Sequence, residues 1–411
     1  MKKTILILLV ILISGALFAT PEIGIPYMNK PTIDGKIDVN EWHGASRVTG
    51  FHLLGGKSLE PNKSVVYVGY DDENFYLAYR FYGPSKPKGV DKGKAGAYWE
   101  DDTLEFFFNA DEKEALYYQF LLNCSGGYAV FGYNTTGENV NGVGGKAVDL
   151  DALYKTYISP AYSDLVPPAD ALWWEGEISV SWKSLKFSPQ AGDRGFLFLT
   201  RDNVSPEYYN SDYGYAESSF HEKDKYSTIH FLKDTAVARM DIDSYDKFEI
   251  FNPTGEEKVV NIKSSVVIDG EVQKTFEDKV KIPKGGVVDY SLNDEFPKSI
   301  FKLITETVDD KGFLLQKAES DIFNVDLFSY NYDREKDKII VNFNFTGAPV
   351  KENPYVDMRL MKDSDMLVGF MINVTEDKRF RTFEIDMSPY PKGNYTLFCK
   401  RVVNITETIT K

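Results

Sequence analysis

The chain has 411 residues, of which 43% are hydrophobic and 27% charged, and its formal net charge is −15. This length exceeds what a single compact core organises, so several domains are expected. The acidic balance excludes nucleic acid and anionic lipid surfaces as main partners, because both are normally bound through basic faces.

Two lysines, Lys2 and Lys3, precede an apolar run over residues 4–13, and small residues follow as far as Ala19. This order predicts a secretory signal peptide over residues 1–19. The apolar run is shorter than a membrane span needs, and nothing downstream resembles a second span. The mature protein is therefore predicted to be secreted, periplasmic or at the cell surface.

Residues 20–235 alternate between short apolar strands and turn residues. Two runs, 65–70 and 75–82, flank a polar turn and predict a hairpin. In the second run Phe75, Leu77, Tyr79 and Phe81 share one face, which predicts packing on an opposing sheet. The other face is expected to be wet or to line a groove. Further strands are predicted at residues 103–109, 117–123, 127–133, 174–182, 195–201 and 227–231.

Composition changes near residue 235, after which tryptophan disappears. The short strands of residues 236–323 and of residues 324–411 resemble bacterial immunoglobulin-like modules. The predicted fold is all-β, with an N-terminal β-sandwich at 20–235 followed by two smaller immunoglobulin-like β-sandwiches. Cys124 and Cys399 fall in different predicted domains, so no disulfide is expected between them.

Several motifs of the first domain occur in the order typical of one family. They are residues 31–42 (PTIDGKIDVNEW), 68–77 (VGYDDENFYL), 99–105 (WEDDTLE), 118–123 (YQFLLN), 174–178 (WEGEI), 195–198 (GFLF) and 219–231 (SFHEKDKYSTIHF). Together they resemble family 9 carbohydrate-binding modules of the DOMON-like superfamily. The resemblance covers about half of the chain, and it implies an exported protein that binds a poly- or oligosaccharide.

In that family a sugar lies between two aromatic side chains, and a carboxylate bonds its hydroxyl groups. The resemblance assigns Trp99 as the first aromatic residue, Glu105 as the carboxylate and Phe220 as the second aromatic residue. Leu121 stands where a sugar-contacting arginine of the family would fall. The alternation of strand 103–109 independently places Glu105 on the face opposite Leu104, Phe106 and Phe108.

Each assignment has a structural alternative. Trp99 could belong to a core, Glu105 could be an ordinary surface residue, and Phe220 could pack at a rim. The remaining tryptophans, at positions 42, 173, 174 and 182, are interpreted as structural. A surface protein whose sugar site has decayed is also consistent with the sequence.

No catalytic role is predicted. The sequence has no HExxH pair, no G-x-S-x-G elbow and no phosphate loop in a strand-to-helix context. Catalysis, if the protein serves glycoside hydrolysis, is expected from another protein.

Two cofactor hypotheses come with the resemblance. It implies structural calcium, and residues 71–74 or the group Asp34, Asp38 and Glu41 offer the oxygen donors that calcium prefers. No organic cofactor is expected. A rival hypothesis is a haem-binding electron-transfer protein, because some DOMON-like sandwiches hold b-type haem between Met and His or Lys. Met28, Met240 and four histidines are present here.

Overall fold

Strands make up most of the chain in a computed structural model, which confirms the all-β prediction. The structure describes residues 20–55, 60, 62–134, 146–163, 171–205, 208–241, 247–268, 270–292, 296–297, 300–323, 328–344, 355–362, 365–373, 380–400 and 405–410. The predicted signal peptide lies outside these residues. No helix in the described ranges has the length and apolar character needed to cross a bilayer.

The described residues between 20 and 235 form fourteen strands. These are β1 (Glu22–Pro26), β2 (Ser46–Thr49), β3 (His52–Leu53), β4 (Ser64–Tyr70), β5 (Asn74–Tyr82), β6 (Thr103–Asn109), β7 (Leu116–Asn123), β8 (Tyr128–Asn134), β9 (Lys146–Ala147), β10 (Ala152–Ile158), β11 (Trp173–Ser181), β12 (Arg194–Asn203), β13 (Tyr209–Asp212) and β14 (Ser227–Leu232). Short 3-10 turns lie at Tyr98–Glu100, Pro160–Ser163 and Lys223–Lys225, and one α-helical turn, α1, lies at Trp182–Leu185.

Two sheets pack face to face in this region. One contains β1, β14, β12, β6, β7, β8 and β9 in that order, and the other contains β10, β11, β5, β4 and β2. The predicted hairpin is β4–β5. Its predicted inner face is confirmed, because Phe75, Leu77, Tyr79 and Phe81 are buried against residues of β6. The rings of Phe75 and Phe108 stack between the sheets at 4.5 Å. Each such buried ring contributes roughly 1.5–3 kcal/mol.

The face of β5 that points away from the main core is more buried than predicted. Tyr76 on that face is fully buried, because the loop before β2 brings Met28 and Trp42 over it. The loop is fixed on Glu177 of β11, which accepts hydrogen bonds from the Trp42 indole and the Gly35 N–H, each at 2.8 Å. Gly35 has φ +93°, and a Cβ there would lie 2.8 Å from the Thr156 backbone, so the position requires glycine.

Seven strands lie in the part of residues 236–323 that the structure describes. They are β15 (Val237–Met240), β16 (Lys247–Phe251), β17 (Lys258–Ile268), β18 (Glu271–Ile282), β19 (Val287–Ser291), β20 (Ile300–Asp309) and β21 (Leu314–Phe323). They pack around cores of their own, one of which contains Ile250, Val260, Ile262 and Leu315.

The sheets do not end at residue 235. Strand β21 pairs with β1, and β15 pairs with β2, so both sheets continue into residues 236–323. Side chains reinforce this seam: the Arg47 guanidinium donates to the Met240 carbonyl at 2.6 Å, and Arg239 donates to the His43 carbonyl at 2.9 Å. Met240 is itself buried in the main core of the first domain. Backbone and side-chain contacts therefore join residues 20–235 to residues 236–323.

The last part of the chain forms a separate pair of sheets. Its strands are β22 (Phe328–Asp333), β23 (Lys338–Asn344), β24 (Tyr355–Lys362), β25 (Asp365–Asn373), β26 (Phe380–Asp386), β27 (Asn394–Lys400) and β28 (Ile405–Thr410). One sheet has the order β22-β23-β26 and the other β25-β24-β27-β28. Buried residues of both, including Val341, Leu360 and Leu397, form a common core.

Candidate functional site

The candidate site lies on one face of the first sheet, on strands β6, β7, β8 and β12. We call it the outer face, because it points away from the core between the two sheets. Glu105 on β6 lies opposite Leu121 on β7 and opposite Thr200 on β12. Alternation then places Phe107, Gln119 and Asp202 on the same face. All three predicted site residues, Trp99, Glu105 and Phe220, contact or adjoin this face.

Trp99 is displayed at one end of the outer face. It lies in the 3-10 turn Tyr98–Glu100, directly before β6, and 46% of its surface is exposed. The neighbouring Tyr98 is fully buried against Leu121 and Ala129 of the outer face. Trp99 is therefore a surface residue, whereas Trp42, Trp174 and Trp182 are buried.

The turn that carries Trp99 is fixed at both ends. The Tyr98 hydroxyl donates to Asp91 at 2.8 Å and accepts from the Lys92 N–H at 2.9 Å. On the other side, the buried Asp102 carboxylate accepts from the N–H groups of Lys88 at 2.6 Å and Val204 at 3.0 Å. These bonds hold the backbone around Trp99 in place, so the indole is presented by a preorganised support.

Glu105 lies on the predicted face but below its surface. It is only 2% exposed, and one carboxylate oxygen accepts a hydrogen bond from the Gln119 amide at 2.8 Å. The Gln119 carbonyl oxygen in turn accepts from the Tyr133 hydroxyl at 2.7 Å. Burial raises the pKa of Glu105, while the hydrogen bonds from its neighbours oppose that rise.

Asp202 on β12 is the immediate acidic neighbour of Glu105. It is also 2% exposed, and burial together with the Glu105 charge raises the pKa of Asp202 well above its ordinary value. Two contacting carboxyl groups in a dry environment cannot both ionise at low energy. The raised pKa of Asp202 therefore favours a proton held between the two carboxyl groups, which lie beneath the outer face.

Phe220 lies at the other end of the outer face, half-buried. Its ring packs edge-on against Phe198 at 6.1 Å, in a cluster with Phe107, Tyr117 and Tyr226. Its carbonyl accepts a hydrogen bond from the Tyr226 hydroxyl at 3.0 Å. The residues predicted to form an aromatic pair, Trp99 and Phe220, are thus placed at different ends of the face, and Phe220 belongs to an aromatic cluster.

The sequence interpretation missed three polar or aromatic residues beside Glu105. Asp202 lies just past the predicted strand end at residue 201, although the alternation of Phe198 and Thr200 continued one step further. Asn210 lies in the short strand β13 and Tyr208 lies directly before it, in a segment that carries no apolar pattern. Only pairing with β12 brings them to the outer face.

The acidic clusters considered for calcium are used in turns. Asp71 accepts from the N–H groups of Glu73 and Asn74 at 2.7 Å each, and Glu41 accepts from the Thr32 N–H and hydroxyl. Within the described ranges, no three His, Cys, Asp or Glu side chains converge as a metal site would require. Calcium binding stays a prediction.

The residues of the haem hypothesis lie in separate places. Met28 packs with Trp42 beneath the loop before β2, and Met240 packs in the main core, where the Tyr213 hydroxyl contacts its sulfur at 3.6 Å. His221 contacts Phe107, and His230 pairs with Glu22 at 2.7 Å. None of these contacts joins a methionine to a histidine.

Comparison with known proteins gives structural similarity only. No protein-family profile and no curated protein matches the chain. Among solved structures it is similar to a Bacteroides uniformis protein assigned to carbohydrate binding, at 15% identity over 52% of this chain and 100% of that one, with a TM-score of 0.38.

It is also similar to a family 9 carbohydrate-binding module of Caldicellulosiruptor kristjanssonii. In the complex with cellotriose the identity is 13% over 52% of this chain and 94% of that one, with a TM-score of 0.34. In the complex with glucose the values are 14%, 52%, 96% and 0.32. At these identities and TM-scores the similarity does not transfer a ligand to this chain.

Proposed function

We propose that the protein is an exported, non-catalytic carbohydrate-binding protein whose outer face takes a saccharide at Trp99. The observation that carries the proposal is the exposed indole held beside a buried polar network. Export is part of the proposal through the signal peptide predicted at residues 1–19. The two C-terminal parts, predicted to resemble immunoglobulin-like modules, are proposed as spacer or docking units.

The chemistry of a sugar suits this arrangement. A pyranose has an apolar C–H face that stacks on an indole, and its hydroxyl edges need fixed partners once water is displaced. Trp99 supplies an indole whose support is already ordered. The polar groups of Gln119, Glu105 and Asp202 lie behind the face and are hydrogen-bonded to one another, so they need little reordering when a ligand binds.

Isothermal titration calorimetry against a panel of oligosaccharides tests the proposal. Cellotriose, xylotriose, mannotriose and trigalacturonate are titrated into the full mature chain. We expect binding of at least one of them, and we expect Trp99→Ala to weaken it by about 1–3 kcal/mol, the range for truncating an aromatic contact at an interface. The melting temperature of the variant should stay close to that of the parent, because nearly half of the side chain is exposed.

Trp173→Ala is the matched control. Trp173 is half-buried on β11 of the other sheet, where Arg80 lies over its ring at 4.5 Å. Its loss should leave saccharide affinity unchanged. Absence of binding across a wide glycan panel would contradict the proposal and favour a structural surface protein. So would a Trp99→Ala variant that melts at a much lower temperature but binds with parent affinity.

A further inference from the structure

We propose that Tyr208, and not Phe220, forms the second wall of the ligand site opposite Trp99, and that the cleft between them takes an uncharged saccharide. This inference rests on the proposed function. It replaces Phe220, the second aromatic residue of the motif assignment, with Tyr208, and it derives the charge class of the ligand from residues of this chain.

The two most exposed aromatic side chains near the acidic pair are Trp99 and Tyr208. Trp99 is 46% exposed and Tyr208 is 68% exposed. Thr103, at the start of β6, lies opposite Asp202, and Asn210 of β13 lies opposite Asp202 on the other side. Both aromatic residues therefore adjoin the same end of the sheet, where β6 begins and β12 ends.

The residues that support these two side chains also lie on the same face. Asn210 points to the outer face, because it lies directly opposite Asp202 in the strand register. With the amide assigned so that both of its atoms find partners, its N–H group lies 3.2 Å from an Asp202 carboxyl oxygen. The Tyr208 hydroxyl contacts the same amide at 3.2 Å, so Tyr208 follows Asn210 to that face. On the opposite side, Tyr98 anchors the turn of Trp99 on Leu121 and Ala129 of β7 and β8.

The floor between these two walls is formed by β6 and β12. Three strand spacings separate β7 from β13, a distance of about 14 Å between backbones. A chain of polar groups crosses this floor from exposed to buried, running from Tyr208 through Asn210, Asp202 and Glu105 to Gln119. The Asp202 Oδ2 atom receives no hydrogen bond from an N–H or hydroxyl group of the described chain. The half-buried Asn210 is the member of this chain best placed to meet a ligand hydroxyl.

Phe220 is a poor candidate for this wall. Its ring packs on Phe198. Phe198 pairs with Phe107, which lies two residues beyond Glu105 along β6. The Phe220 ring is half-buried within an aromatic cluster, so a sugar would have to displace protein contacts to stack on it.

The charge of the floor selects the ligand class. Glu105 and Asp202 are both acidic and each is 2% exposed, and no cation is paired with either of them among the contacts of the described residues. An acidic floor without a paired cation offers no favourable partner to a carboxylate or sulfate on the ligand. A neutral pyranose with hydroxyl donors needs no such cation.

Calorimetry on four single variants of the full mature chain tests the inference. Tyr208→Ala removes the ring, Tyr208→Phe removes only the hydroxyl, and Phe220→Ala removes the rival wall. Phe313→Ala is the matched control, because Phe313 is an aromatic residue of similar exposure to Trp99 at a turn of residues 236–323. The probe is whichever neutral trisaccharide binds the parent protein, with trigalacturonate as the charged counterpart.

We expect Tyr208→Ala to lower affinity at least about tenfold, as Trp99→Ala does, and Tyr208→Phe, Phe220→Ala and Phe313→Ala to stay within about threefold of the parent. Parent-like affinity of Tyr208→Ala, with Trp99→Ala impaired, would overturn the second wall while leaving the proposed function intact. A tenfold loss in Phe220→Ala alone would do the same. Tighter binding of trigalacturonate than of every neutral trisaccharide would overturn the charge class. A parent protein that binds no saccharide would overturn the proposed function itself.

Discussion

The carboxyl groups of Glu105 on β6 and Asp202 on β12 lie together beneath the outer face, and each residue is 2% exposed. Burial raises the pKa of Asp202, and it also raises the pKa of Glu177 and of Asp212 to about 7. An unfolded chain releases these protons near pH 4. Folding therefore takes up protons between about pH 4 and pH 7, and the free energy of unfolding falls as the pH rises through this window. Glu222 acts in the opposite sense, since its pKa is lowered to about 2 and its contribution is lost in strong acid.

Burial lowers the pKa of His43 and of His221, which favours the folded chain as the pH rises. The acidic groups with a raised pKa are more numerous, so the protein should be more stable in mild acid than in mild alkali. We expect a melting temperature at pH 5 that exceeds the value at pH 8 by about 5 °C or more. Asp202→Asn should raise the pH 8 value and reduce the difference, because its amide can donate to Glu105 without a second charge. Glu384→Gln, at an exposed pair with Lys338, is the control and should leave the difference unchanged. A melting temperature that rises from pH 5 to pH 8 would contradict this expectation.

Glu177 should be important for stability but not for ligand binding. Glu177→Ala leaves the Trp42 indole N–H and the N–H groups of Asp34 and Gly35 without their partner. A buried donor without a partner costs about 1–3 kcal/mol, so a loss of roughly 3 kcal/mol or more in unfolding free energy is expected in urea titrations. Glu41→Ala in the same loop removes exposed hydrogen bonds and should cost less than about 1 kcal/mol. Saccharide affinity per folded molecule should be equal in both variants.

Residues 236–323 should stabilise residues 20–235. A fragment of residues 20–235 is expected to fold, but it loses Met240 and Phe248 from the main core and the β21 partner of β1. Loss of one large buried apolar side chain costs about 2–5 kcal/mol. The fragment should therefore unfold at a lower urea concentration than residues 20–323, which we expect to unfold in a single transition. Equal midpoints for the two fragments would show that the seam adds no stability.

The Cys124 thiol should report global unfolding of the first domain. It is buried in the main core, and burial raises its pKa. Reaction with a thiol reagent requires an exposed thiolate. In a Cys399→Ser variant, labelling of Cys124 should therefore be slow in native buffer and should accelerate in step with the loss of circular dichroism in urea. Rapid labelling in native buffer would contradict the buried position.

Local alternation predicted much of the first domain. The strand of residues 103–109 matches β6 at both ends, and Glu105 lies on the face opposite Phe106, as predicted. Alternation predicts which face of a strand a side chain occupies, but not how deeply neighbouring groups bury that side chain. The pattern therefore could not show the burial of Glu105. Asp202 became its partner through pairing between β6 and β12, which depends on distant segments.

Local alternation also could not predict the pairing of residues 20–235 with residues 236–323, or strands whose side chains are exposed. Pairing of β1 with β21 joins segments far apart in sequence, and no local period encodes it. Strand β18 spans residues 271–282, where the sequence analysis predicts no individual strand. Its side chains are mostly charged and exposed, so apolar alternation is weak there.

Strand β1 also constrains the order in which the protein can fold. It is synthesised long before its two neighbours in the sheet. Strand β14 begins at Ser227 and strand β21 at Leu314. Strand β1 has no neighbouring strand until β14 has been synthesised, and its second neighbour is available only after β21. Such distant pairing slows folding, because a long loop must close before the contact is gained. Strand β1 therefore stays unpaired while most of the other strands of its sheet are being synthesised.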